Sequence, residues 1–340
     1  MGKYFVGYIT AKSLDGLTRV QARKLTHLNI AFAPMVGDIT VLELSEQQQE
    51  YLAEIRSFNP ELKILISTGG GDNHGHGEAT RTPEGLKKLV DSTMDIVNRY
   101  DLDGIDCDWE FPGDNGIIEE KYQHTALLKA YREELDKLGA SNGRKYWLTT
   151  AAAAGQWYLD RTEIHKSHVY LDFINMMTYA LRGWDNPAGH HTCLYEPENA
   201  PVVHSVDTDV KLMTDAGVPI EKILVGVAFY SRRWDHIANI NNGLNQPSPY
   251  SGGFGPDYTE IVLKYEKNKE YVKHWDDVAK AAYLFNGKTL ISYDDPLSIQ
   301  YKCAYVKEKN MAGAFYWVHS ADHTGILFDA MYDHLLLGEE

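Results

Sequence analysis

Residues 103–110 read DGIDCDWE and space three acids, Asp106, Asp108 and Glu110, at every second position. In a β-strand that spacing puts the three side chains on one face, with Ile105, Cys107 and Trp109 on the other. The apolar flank suits packing against a layer of helices, so the acidic face enters an enclosed interior. Carboxyls buried together cannot all ionise, because burial and mutual repulsion both disfavour the charged form, and at least one keeps a proton near neutral pH. Such a proton is a general acid. Glu110, last in the row and nearest the carboxyl end of the strand, is best placed to deliver it. On the residues alone, a solvated edge strand with its acids in water is the plain alternative. A DxD metal site for sugar-nucleotide transfer also stays open, although no phosphate-binding loop accompanies it; a calcium loop is excluded because glycine does not follow the third acid at the required position.

The elements around this segment must hold it in an interior. Eight short apolar or β-branched runs, at residues 4–9, 27–33, 63–68, 104–109, 146–153, 173–177, 223–229 and 313–317, alternate with stretches of helical period. Between the third and fourth, Thr82 reads as an N-cap and Pro83 as the first helical residue, while Leu86, Leu89, Val90, Met94 and Val97 form one apolar stripe. Further helical signals cover 46–58, 119–138, 207–216, 296–309 and 325–337. Repeated strand–helix units predict an α/β chain closed into a (β/α)8 TIM barrel. An open doubly wound sheet competes, but the GxGxxG fingerprint is missing after the first strand. A barrel takes about 250 residues, leaving roughly 90 over. The expected division is a catalytic barrel of residues 1–233 and 290–340 with a small α+β insertion of 234–289 between strands seven and eight, its one helical stripe at 276–285.

Composition narrows the chemistry. Of 340 residues, 44% are apolar and 24% charged, as in an ordinary folded chain. Acids outnumber bases 48 to 33, a net charge of −15 that argues against nucleic acid or anionic lipid as partner and favours a neutral polar one. No apolar run reaches the roughly 18 residues of a membrane helix, so no membrane partner is expected. The opening MGKYFVGYIT is shorter than an export-leader core, and the compartment stays open. Cys107, Cys193 and Cys303 read as thiols, Cys107 as a buried small hydrophobe. His74 and His76, like the adjacent His190 and His191, read as polar loop residues, with no metal or cofactor expected and a monomer as the working state.

The acidic row resembles the DxxDxDxE signature of the family 18 glycoside hydrolases, the chitinases and their relatives, and the resemblance recurs along most of the chain. Ser67, Gly69 and Gly70 are similar to that family's SxGG motif, with the glycines mainly structural. Met177, Thr178 and Tyr179, then Gly183, Trp184 and Asp185, resemble its MxYD motif and following loop. Gly226, Tyr230 and Arg232 resemble the GxPxYGRxW strand; Phe315, Tyr316 and Trp317 the segment ending in a platform Trp; and Tyr258, Glu260 and Ile261 the YxEI of the chitinase insertion.

What the resemblance implies is a retaining, substrate-assisted hydrolysis of β-1,4-linked N-acetylglucosamine in chitin or chitooligosaccharides. Glu110 protonates the departing oxygen while the substrate's acetamido carbonyl attacks the anomeric carbon. Asp108 steadies the resulting oxazolinium, Asp106 shares a proton with Asp108, and Tyr179 holds the acetamido oxygen. Trp317 floors the distorted sugar, with Tyr8, Phe32, Met177, Trp184, Tyr230 and Arg232 around it. Two departures matter: Ala180 stands where MxYD ends in Asp, and Gly71 where a Trp often follows SxGG. Ala180 points to weaker activity or a shifted pH dependence, and Gly71 to short soluble oligomers rather than long crystalline chitin. An inactive chitinase-like lectin is disfavoured by Glu110, and an endo-β-N-acetylglucosaminidase on N-glycans by the insertion and Trp317.

Overall fold

A computed structural model of the protein describes residues 2–182, 187–201, 204–250 and 252–337. The expected runs form the strands β1 (Tyr4–Thr10), β2 (His27–Ala33), β3 (Lys63–Gly69), β4 (Gly104–Asp108), β5 (Trp147–Ala153), β6 (Phe173–Met177), β7 (Ile223–Ala228) and β8 (Gly313–Trp317). They pair in parallel and close into a barrel in the order β1-β8-β7-β6-β5-β4-β3-β2. Six of the helices, Glu46–Phe58, Pro83–Arg99, Glu120–Asn142, Val206–Asp215, Pro296–Glu308 and Ile326–Leu335, stand where helical period places them. Thr82 caps the second of these by accepting the Gly85 N–H at 3.1 Å, with Pro83 in the first turn. No helix among the described residues is long and apolar enough to cross a membrane.

Strand alternation sorts the side chains into two environments. On β4, Ile105 and Cys107, followed by Trp109, join Leu127, Leu128 and Tyr131 of Glu120–Asn142 in the core between barrel and helices. Inside the barrel, Val6, Tyr8, Ala31, Phe173, Leu224 and Phe315 pack together. A polar layer of Asn29, Ser67, Asp106, Thr149 and Asn175, all fully buried, occupies the same interior. Neighbouring strands deliver that layer in register: Ser67 of β3 lies beside Asp106, and Thr149 of β5 lies on its other side.

Between β7 and β8 stands a five-stranded antiparallel sheet built from Tyr230–Trp234, Gly253–Asp257, Val272–Asp276, Ala281–Phe285 and Leu290–Tyr293. It takes in residues on both sides of 234–289. The helix expected at 276–285 is instead a turn and a strand. Asp276 pairs with Ala281 across a hairpin, and Lys280 takes a left-handed φ of 53° to reverse the chain. The helical part of the insertion is shorter and earlier, at Tyr258–Glu260 and Ile261–Tyr265.

Of the histidines expected on polar loops, His74 is exposed, but the other three sit differently. His76 is fully buried and stacks on Trp109 with ring centroids 5.2 Å apart; burial pushes its pKa down to about 3. His190 is buried with its Nε2 3.1 Å from Asp276, and His191 is buried against the Tyr230 ring. Each fills a packed interior rather than a solvated loop.

Candidate active site

The carboxyl ends of the barrel strands open into a cavity of about 770 Å³. Tyr8, Phe32, Asp108, Glu110, Met177, Tyr179, Tyr230, Arg232 and Trp317 all lie on its wall. Asp106 sits one step deeper on β4, and Trp184 lies outside the described residues, as do Gly183 and Asp185. The peptide bonds Ala31–Phe32, Glu110–Phe111 and Trp317–Val318 are cis, the first within the last residues of β2 and the other two just after β4 and at the end of β8.

Asp106 is held by four donors. Tyr8 O–H (2.8 Å) and Ser67 O–H (2.7 Å) donate to Oδ2, while Thr149 O–H (2.6 Å) and the Asn175 amide (3.2 Å) donate to Oδ1. Burial still raises its pKa, and the hydrogen bonds work against that rise. Both Asp106 oxygens are thus engaged by donors from neighbouring strands.

Asp108 turns to Glu110 instead. Its pKa is driven well above the ordinary carboxyl range by burial, then by the charges of Glu110 and Asp106 and a hydrogen bond with Glu110. One of its oxygens, Oδ1, is buried without a hydrogen-bond partner among the described residues. Glu110 is pushed up to about 7, chiefly by burial and further by Asp72, while its hydrogen bond with Asp108 pulls the other way. Two adjacent carboxyls in a poorly hydrated pit hold on to a proton where isolated ones would be ionised. A group with a pKa near 7 can give a proton and take one back at neutral pH, as an acid–base catalyst must.

The ring system around this pair is ordered by contacts. Trp317 stacks on Phe32 at 5.2 Å and meets Tyr8 edge-on at 5.6 Å. Tyr179 crosses Tyr230 edge-on at 5.8 Å and Phe315 at 5.9 Å. Gly226 makes room for it, since a Cβ there would come within 2.8 Å of the Tyr179 ring. The Tyr179 phenol is raised by burial and by the nearby Tyr230, Asp108 and Glu110, so it stays a neutral donor. Gly70, at φ 88°, donates its N–H to the Asp108 carbonyl at 2.9 Å, and a Cβ on it would strike the Phe32 ring at 2.6 Å. These contacts bear out the structural role expected of the SxGG glycines. Cys107 points away from the acids into the outer core, and burial raises its thiol.

The wall also carries residues that the motifs did not indicate: Asp72, Phe111, Trp157, His204 and Phe254. Phe111 immediately follows Glu110 and meets Trp157 edge-on at 5.1 Å. An aromatic directly after the last acid was the available signal for the first of these. Trp157 lies on the short helix Gln156–Arg161 and Phe254 on the glycine-rich insertion strand Gly253–Asp257, elements too short to show a period in the sequence.

Residues 4–322 match the family model described as glycosyl hydrolases family 18. The chain belongs to this family. Within it, the chain is 34% identical to chitinase A1 of Niallia circulans over 299 residues, which cover 81% of this chain and 43% of that protein. The chain therefore spans less than half the length of that relative. Among solved structures it resembles a family 18 N-acetylglucosaminidase from Paenibacillus barengoltzii, at 44% identity, TM-score 0.95 and coverage of 98% of this chain and 100% of the other. It also resembles chitinase ChiW from Paenibacillus sp. str. FPU-7, at 37% identity and TM-score 0.91, covering 99% of this chain and 33% of that one. Family 18 membership accords with the closed barrel and the antiparallel insertion sheet.

Proposed function

We propose that the protein hydrolyses β-1,4-linked N-acetylglucosamine, acting on short soluble chitooligosaccharides with retention of configuration. The observation that carries this is the hydrogen-bonded Asp108–Glu110 pair on the wall of an aromatic-lined cavity, with Glu110 pushed up to about 7. In the first step Glu110 donates its proton to the departing glycosidic oxygen as the acetamido carbonyl oxygen of the same sugar bonds to C1. Asp108, whose Oδ1 has no partner among the described residues, takes the acetamido N–H and stabilises the oxazolinium charge. Asp106, pinned by its four donors, supplies a fixed negative field below the pair. Tyr179 donates to the acetamido oxygen, and Trp317 supports the apolar face of the sugar. In the second step Glu110 takes a proton from water, which opens the oxazolinium from the face the leaving group vacated.

The similarity to a family 18 N-acetylglucosaminidase supports release of N-acetylglucosamine units, and Gly71 in place of a Trp supports a preference for short chains. The test follows N-acetylglucosamine oligomers of two to six units by proton NMR. The β-anomer should appear first in the product, and Glu110→Gln should lose nearly all turnover. An initial α-anomer, or substantial activity in Glu110→Gln, refutes the mechanism; cleavage of a high-mannose glycopeptide without cleavage of the oligomers reassigns the substrate.

A further inference from the structure

We propose that Phe254, on the edge strand of the insertion sheet, is a sugar-stacking platform that sets how strongly the cleft favours longer oligomers. This rests on the oligosaccharide substrate proposed above. Phe254 is 68% exposed, yet its ring faces the same cavity as Glu110. It lies beyond Tyr230, with ring centroids 5.8 Å apart, and Tyr230 in turn lies 5.8 Å beyond Tyr179. The three rings therefore step outward from the reacting centre along one wall, from a neutral phenol beside the acids to a largely exposed ring at the rim.

Two features make this ring a rigid platform rather than a stray surface phenylalanine. The Arg232 guanidinium sits 4.1 Å from the Phe254 centroid, and Arg232 is only 3% exposed, so one face of the ring is backed by a buried cation. The strand holding it is fixed closely: Phe254 pairs with Arg232 across the sheet, and a Cβ on the next residue, Gly255, would come within 2.3 Å of Ser231 Oγ. A pyranose presents an apolar C–H face of matching size, and a pre-positioned ring receives it with little loss of side-chain freedom. The sugar concerned is remote from the cleaved bond, because Tyr230 intervenes between Phe254 and Tyr179.

The experiment measures binding and turnover separately. In the Glu110→Gln background, affinities for the N-acetylglucosamine disaccharide and pentasaccharide are compared with and without Phe254→Ala; in the active enzyme, kcat and KM are compared for the same two oligomers. The penalty of Phe254→Ala should grow with length. It should be small on the disaccharide and about tenfold on the pentasaccharide, about 1.4 kcal/mol, carried by KM, with Phe254→Trp restoring it and Phe254→Leu not. An equal penalty on both oligomers, or none on either, overturns the platform. Length-dependent binding without hydrolysis in the otherwise unaltered chain would uphold the platform and overturn the hydrolase instead. Failure to bind either oligomer overturns both.

Discussion

Replacing Glu110 with Gln should abolish turnover and at the same time stabilise the fold at alkaline pH. In the folded protein Glu110 has a pKa of about 7 against an ordinary 4.5, chiefly because burial disfavours its charge. The native state therefore holds a proton between those values that the unfolded chain gives up. Stability from this group is greatest below about pH 4.5 and is lost as pH rises through 7. At about 1.4 kcal/mol for each tenfold change in proton affinity, the ionised side chain costs about 3 kcal/mol at pH 8, and less where water screens its exposed edge. Gln has the shape of the protonated acid and no charge to bury. Its advantage should be below about 1 kcal/mol at pH 5 and grow to about 3 kcal/mol at pH 8. Urea unfolding of the two proteins at pH 5, 6, 7 and 8, followed by tryptophan fluorescence, reads this difference from the midpoints. A difference that does not change with pH, or a Gln variant less stable at pH 8, would refute the account of Glu110 as a buried acid held protonated by its surroundings.

Other outcomes follow from the same contacts. The rate constant kcat/KM should fall as pH rises through about 7, because the first step needs protonated Glu110; a profile flat to pH 9 contradicts it. Ala180→Asp should be tolerated by the backbone, since Ala180 already has a left-handed φ of 53°, a region Asp enters more readily. Its added carboxylate in the cavity should move the alkaline limb of the pH profile upward, by about half a pH unit; a limb that stays put or moves down counts against it. Asp106→Asn places an NH2 group against hydroxyl and amide donors and should destabilise the fold by about 2–4 kcal/mol in chemical denaturation. Lys302→Met strips the buried Asp294 carboxylate of an ammonium 2.8 Å from both its oxygens and should cost about 3–5 kcal/mol, measured the same way.

How much of this was legible in the residues depended on how local each signal is. Strand alternation is local: DGIDCDWE alone assigned Asp108 and Glu110 to the cavity and Cys107 to the outer core. The partners of Asp106 are not local. Tyr8, Ser67, Thr149 and Asn175 come from four other strands, and only the closed register brings them together, so sequence alone could not name the four donors that hold this carboxyl. The hairpin read as a helix failed for a chemical reason. Asp276 Oδ1 accepts the N–H groups of Val278 and Ala279, at 3.0 Å each, which is also what an N-cap aspartate does, and Val278, Ala281, Ala282 and Phe285 fit a helical stripe as well as a strand. What separates the two is the left-handed Lys280, a position where lysine carries no warning. The rim of the cleft was hidden in the same way. Phe254 lies in the glycine-rich segment 252–255, which has neither period, and its ring acquires meaning only when the insertion sheet sets Arg232 behind it and Tyr230 beside it. Chemistry carried by parity along one strand could thus be read from the chain, whereas substrate contacts made by packing one sheet against another could not.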